Sequence, residues 1–295
     1  MKSFDDSLKF LVQQAPADFI AFALGGATVR VVSPLSAALP SRSRTIDEAF
    51  LAEINGTQLV AHLEYVRRHQ TEEELGVDVV EAQVRLFRRE RVPVQSLVFD
   101  LYGRHKGELL RDRELTFGVG SKSSYRQINL RGQPVEDLLR SGPAALWPLA
   151  PLFLGGNTAE GVQHAAAAIL GRGLSSATEA DHLSVLYFIA EHEGLPLQLL
   201  KRYIPRSKMI ESQLYKEIFK EGEDQGELKG QARTLLRVLL RRFDYLDEDL
   251  SRRILAETRQ DLLELWLDDA LAIPSAEKLP PLVERILRTA LPQAR

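Results

Sequence analysis

The chain is 295 residues long, 44% hydrophobic and 27% charged, with a formal net charge of -3. That is apolar material for one large or two ordinary domains; it argues against global disorder and gives no chain-wide basic signal for nucleic acid, although basic patches can exist locally. There is no cysteine, which removes disulfides, cysteine–zinc sites and thiol nucleophiles and fits a reducing compartment. The opening MKSFDDSLKFLVQQ has two adjacent acids and no unbroken apolar run, unlike a signal peptide. No stretch reaches the roughly 20 apolar residues of a membrane span. The expectation is a cytoplasmic protein with no membrane contact.

Taken in chain order, Phe4, Leu8, Leu11 and Val12 recur at helical spacing, and Pro16 breaks this helix from a shorter one over 17–24. Thr28–Val32 predicts a strand and Ser33–Arg44 a loop. Two strand-like runs, Ile46–Glu53 and Gln58–Tyr65, flank Asn55-Gly56, the dipeptide that suits a type I′ turn. A helix is expected from Glu72 to Arg91, ended by Pro93, then strands at Val94–Tyr102, Leu115–Val119 and Tyr125–Leu130. From Val135 the pattern is helical, with a buried, turn-rich Ala144–Leu154 and helices closed by Gly171 and Gly194. Residues 211–231 read as a charged helix with Gly222, Gly226 and Gly230 in one stripe, open to close approach by another backbone. Residues 232–295 read as a small helical module.

The two-residue turn fixes the hairpin register. Ile54 pairs with Thr57, and continuing the ladder sets Glu53 against Gln58, Leu51 against Val60 and Asp47 against Glu64. Alternation then places Asp47, Ala49, Leu51, Glu53, Gln58, Val60, His62 and Glu64 on one face. The other face is apolar, with Glu48 its misfit. Like charges directly opposed are destabilising, so Asp47 and Glu64 together suggest a shared proton, a divalent cation such as Mg²⁺, or two solvated acids at splayed strand ends.

DSLKFL and PADF, the run IDEAFLAEINGTQLVAHLEY, RLFRRERVPVQSLVFDL, and the stretch from Tyr125 through Ile-Asn-Leu to LWPLAPL together resemble the PD-(D/E)XK superfamily. The likeness is to its recombination-promoting nucleases and transposase-like proteins (the Rpn and YhgA-like group). The glycine-spaced helix and the module after it resemble a C-terminal helical domain of unknown function found on such proteins. The resemblance covers most of the chain, and the order of the motifs carries more of it than any one motif. It implies an α/β fold with a restriction-endonuclease-like mixed sheet flanked by helices. It divides the chain into a nuclease-like core over 1–135, a helical extension packed on that core over 136–210, a linker helix over 211–231 and an all-α module over 232–295.

It further implies a Mg²⁺-dependent DNA endonuclease in which Asp47, Glu64 and the main chain of Tyr65 hold the metal and Asp47 and Glu64 are catalytic. The family places Lys or Gln two residues after the second acid. Here that position is Val66, which can neither orient nor activate water, with Gln83 or Arg67 as candidates to substitute from nearby. The alternative is therefore a nuclease fold without catalysis that binds DNA or protein, and a third is self-association through the glycine stripe. His62, on the acid face, reads as a third ligand or general base, or as a partly exposed sheet histidine. Arg85, Arg88, Arg89 and Arg91, with Arg42, Arg44, Arg67 and Arg68, read as phosphate contacts or as solvated surface. The motifs of phosphate loops, zinc proteases and serine hydrolases are absent.

Overall fold

A computed structural model describes residues 2–35, 48–66, 71–101, 108–116, 122–245 and 247–289. The chain divides into two compact units, Met1–Tyr215 and Lys216–Arg295.

The first unit is α/β. Helices α1 (Lys2–Gln14) and α2 (Pro16–Ala23) meet at the break imposed by Pro16. Strands β1 (Val29–Pro34), β2 (Glu48–Ile54) and β3 (Thr57–Val66) come next, then α3 (Glu72–Glu90), β4 (Val94–Asp100), β5 (Leu110–Thr116) and β6 (Lys122–Asn129). They form one six-stranded mixed sheet in the order β1-β2-β3-β4-β6-β5. The first three strands are antiparallel, β4 runs parallel to both β3 and β6, and β5 returns antiparallel at the edge.

The helix after the hairpin starts where its capping chemistry allows. Thr71 Oγ1 accepts from Glu74 N–H at 3.1 Å and Glu74 Oε2 accepts from Thr71 N–H at 2.9 Å, a reciprocal capping box. The helix ends at Arg91, whose φ of 60° is left-handed.

Each sheet face has its own cover. On one, Tyr65 and Phe19 both meet Phe99, with ring centroids 5.8 and 6.1 Å apart. Glu48, the misfit of that face, is half-buried and accepts from Gln13 Nε2 of α1 at 3.1 Å. Burial pushes its carboxyl above the usual range, against the opposing pull of Gln13 and Lys9. On the other face, Val60 and Ala49 pack under Ala82 and Leu86 of α3.

The strand expected at Leu115–Val119 begins earlier, at Leu110. Its first half, Leu-Arg-Asp-Arg-Glu, is too charged to read as a strand, but an edge strand tolerates charge. Asp112 and Arg126, directly opposed, form a two-pronged ion pair at 2.7 and 2.8 Å. The arginine's hydrogen bond holds the Asp112 carboxyl below its ordinary value.

The rest of the unit is helical: α4 (Val135–Ser141), a 3₁₀ segment (Ala144–Leu152), α5 (Ala159–Gly171), α6 (Ser176–His192), α7 (Leu197–Tyr203) and α8 (Arg206–Met209). Residues 145–152 are all buried, and Pro148 and Pro151, which lack amide donors, keep the segment out of α geometry. It packs against α2, α4, α5 and α6, and α6 also lies on α1. Arg131, just after β6, clamps Glu193 at 2.7 and 2.8 Å.

Helix α9 (Gln213–Phe243) is continuous for 31 residues; it does not stop at 231, where the expected linker helix ends. In the second unit its buried Ala232, Leu235 and Leu239 pack with α10 (Glu248–Leu255), α11 (Gln260–Ala272) and α12 (Pro280–Arg288) around Trp266. Leu240, Leu265 and Leu271 are exposed. Among the described residues, nothing beyond the adjacent helix backbone lies within 4 Å of where a Cβ at Gly226 or Gly230 would sit. Among the described residues no helix is long and apolar enough to cross a membrane.

Candidate acid site under helix α3

The hairpin carries the candidate site. Asn55 and Gly56 both have positive φ, 49° and 80°, and the ladder runs from Ile54↔Thr57 to Glu48↔Leu63. The register is the one the turn chemistry predicts. Asp47, whose expected partner is Glu64, lies outside the described residues, as do Arg42, Arg44, Arg67 and Arg68.

Glu64 is near the carboxyl end of β3, on the face covered by α3. Its side chain is 29% exposed, and its Oε2 lies 3.5 Å from His62 Nε2. His62 is fully buried; it is not the partly exposed histidine that a sheet surface would give. Its Nδ1 is 3.0 Å from Ser96 Oγ, because the parallel pairing of β3 with β4 sets His62 beside Ser96.

Gln83 Nε2 donates to the Ser124 carbonyl at 2.8 Å and to Ser96 Oγ at 3.1 Å, and Ser123 Oγ donates to Gln83 Oε1. Ser96 Oγ and His62 Nδ1 share a hydrogen bond whose direction follows the imidazole tautomer. The ring's Nε2 faces the Glu64 carboxylate. At 3.5 Å that contact is longer than a hydrogen bond, so Glu64 retains acceptor capacity toward solvent. Gln83 joins the site through this network, two links removed from His62.

Val66 shares the face of Glu64, but its surroundings are apolar. It is buried with Leu75 and Val79 of α3, Val98 and Tyr125. The slot expected to hold a water-orienting group is thus filled by the underside of α3. The Tyr65 ring is on the opposite face against Phe99, which leaves only its main chain on the site's side of the strand.

Sequence reasoning passed over Ser96 and Asp100. Asp100 ends β4, pairs with Val66 in the ladder and is buried. Its Oδ2 accepts from Gln127 Nε2 at 3.0 Å, Gln127 Oε1 accepts from Arg113 Nε at 3.0 Å, and Arg113 pairs with Glu72 at 2.8 Å. The one signal for it in sequence is an acid closing an otherwise apolar strand.

Among the described residues, no three or more acidic or histidine side chains gather as a metal-holding group. Mg²⁺, however, takes as few as one or two carboxylates and completes its shell with water; Glu64, part-exposed, fits as one such ligand. The helical arginines are largely engaged: Arg85 pairs with Glu81, and Arg89 with Glu90 at 2.6 Å. A cavity of about 570 Å³, lined by Phe22, Leu110, Leu138, Arg140 and Phe153 among others, does not include Glu64 or His62. No family model, no curated protein and no solved structure matches this chain.

Proposed function

We propose that the first unit is a nuclease-like domain of the PD-(D/E)XK type acting on DNA, with Glu64 as its metal-facing acid. The observation that carries this reading is the part-exposed Glu64 carboxylate at the end of β3, backed by the buried His62 at 3.5 Å. The order of elements supports it: helix, three antiparallel strands, helix, parallel strand is the order the sequence resemblance implies. In this reading Asp47, Glu64 and the Tyr65 carbonyl hold Mg²⁺, which supplies positive charge at the scissile phosphate and lowers the pKa of a bound water. His62 Nε2 sits beside one oxygen of Glu64 and leaves the other to the metal, a supporting neighbour of the kind found at metal sites.

A second reading, favoured by the burial of Val66 among Leu75, Val79 and Val98, is a nuclease fold that binds DNA without cutting it. Cleavage of supercoiled plasmid in Mg²⁺ or Mn²⁺ separates the two. The first reading expects nicking that is lost in both Asp47→Ala and Glu64→Ala. Intact plasmid under every divalent metal tried leaves the second.

A further inference from the structure

Helix α9 carries an array of cations that neither reading uses. From Leu228 to Phe243 the sequence holds Lys229, Arg233, Arg237, Arg241 and Arg242 and no acidic residue. The first four recur at i, i+4, so they share one face, spaced about 6 Å apart along the axis and spanning about 18 Å. All four are exposed, and none has a hydrogen-bond or ion-pair partner among the described residues.

The other arginines of the second unit contrast with them. Arg242 donates to the carbonyls of Ala270 and Ile273, both at 3.2 Å. Arg252 pairs with Glu248, Arg253 and Arg259 with Glu257, Arg285 with Asp269 and Arg288 with Glu284. Every other described arginine of the unit thus has an acid or carbonyls beside it, and this row has neither. Like charges at i, i+4 destabilise a helix; Arg241, in the last turn, is offset by the helix C-terminus, but Lys229, Arg233 and Arg237 have no such compensation. Gly226 and Gly230 border the row, with open space where their side chains would be.

We infer that this row is a docking surface for the phosphate backbone of a nucleic-acid duplex. Arginine forks match phosphate oxygens, and a regular linear row of cations suits a regular linear row of anions. A membrane surface fits less well, because a helix lying on lipid inserts a free apolar face, and the apolar face of α9 (Ala232, Leu235, Leu239) is buried in the unit's own core. Contacts of this kind give affinity and position without reading sequence. The surface belongs to the second unit, and the case for it does not use the acid site of the first.

The test is fluorescence anisotropy of the full chain with a labelled DNA duplex in EDTA, across about 50–200 mM salt. Replacing Lys229, Arg233, Arg237 and Arg241 together by Gln is expected to weaken binding at least tenfold at the low end. It is also expected to lower the slope of log affinity against log salt by about 3 to 4, near 0.9 per lost phosphate contact. Arg252→Gln with Arg288→Gln, which removes paired cations, leaves both quantities unchanged, and the EDTA keeps metal-dependent binding at the acid site out of the measurement. An unchanged melting temperature shows that the fourfold variant is folded. The inference is overturned if that variant binds the duplex as the parent does, or if the parent binds phosphatidylserine vesicles and not the duplex.

Discussion

Two buried polar clusters, one around His62 in the first unit and one around Glu257 in the second, are built on opposite plans. In the second unit Glu257 is enclosed: its oxygens accept from Arg253 at 2.7 Å, from Arg259 twice at 2.8 Å, and from the main-chain N–H groups of Thr258 and Arg259 at 3.0 and 3.1 Å. Arg253 also donates to the Thr289 carbonyl at 3.0 Å and lies over Trp266 at 5.4 Å. No acceptor capacity faces solvent, and the cluster ties α10 to the end of α12. In the first unit the His62–Ser96–Gln83 chain ends beside a carboxylate that is still in contact with water. A saturated charged cluster holds a fold together, whereas a hydrogen-bonded chain that stops at a part-exposed acid is equipped to orient that acid. The difference separates a structural polar cluster from a functional candidate without reference to any relative.

The contrast breaks most visibly at Glu257. Glu257→Leu leaves Arg253 buried without its counter-charge and two amides without their acceptor, with an expected loss of about 3–5 kcal/mol from the second unit. The two tryptophans, Trp147 in the first unit and Trp266 in the second, allow each unit to be followed separately. Urea unfolding of the substituted chain on a Trp147→Phe background reads the effect at Trp266. A loss under about 1 kcal/mol removes the claim that this cluster holds the unit together.

Acid sharpens the same contrast. Burial holds His182, in the first unit, down to about 4 against a usual 6.5. The unfolded chain therefore takes up this proton first as pH falls, and stability drops between pH 6.5 and about 4, by about 3 kcal/mol in all. For Glu257, burial alone would raise the carboxyl, but the hydrogen bonds from Arg259, Arg253 and the main chain outweigh it, and the carboxyl sits at about 2 against a usual 4.5. Its contribution is complete above pH 4.5 and is lost only as pH falls toward 2. At about pH 5, thermal melting followed at Trp147 is expected to have moved down from its value near pH 7, while melting followed at Trp266 has not moved on account of Glu257. Parallel shifts of both transitions from about pH 6.5 downward contradict this assignment.

The smallest expected effect is at Ser96. Ser96→Ala leaves the buried His62 Nδ1 without its hydrogen-bond partner and costs about 1–2 kcal/mol. In the nuclease reading it also frees the imidazole to change tautomer, so activity falls more than stability. Equal activity of Ser96→Ala and the parent, in an active protein, detaches the chain of contacts from the site.

The hairpin is legible in sequence because turn chemistry and strand alternation are local rules. Asn-Gly fixes the turn, and the turn fixes every pair as far as Glu48 and Leu63. His62's burial is not legible, because it depends on α3 lying over that face and on β4 running parallel beside β3. No local pattern reports the pairing that puts Ser96 next to His62. The length of α9 is obscured by composition: a glycine-interrupted charged half and a leucine-rich half read as two elements. Each glycine costs only about 1 kcal/mol in a helix, and the packing of Leu235 and Leu239 anchors the C-terminal half. In sequence the glycines at 155–156 show only as a failed phosphate motif. In the fold, a side chain at Gly156 would sit 1.8 Å from the Ala150 carbonyl oxygen, so that glycine lets the turn close onto the 3₁₀ segment.

The charged edge strand β5 has a consequence for life in a crowded solution. A sheet ends in a row of unsatisfied amides and carbonyls, which invites a strand from another molecule. Here that row is flanked by Arg111, Asp112, Arg113 and Glu114, with Asp112 and Glu114 each holding a cation from β6 across the strand pair. An incoming strand would have to strip water from these charges before gaining its first hydrogen bond. The feature that makes β5 hard to recognise in sequence thus acts as a barrier to sheet-to-sheet polymerisation.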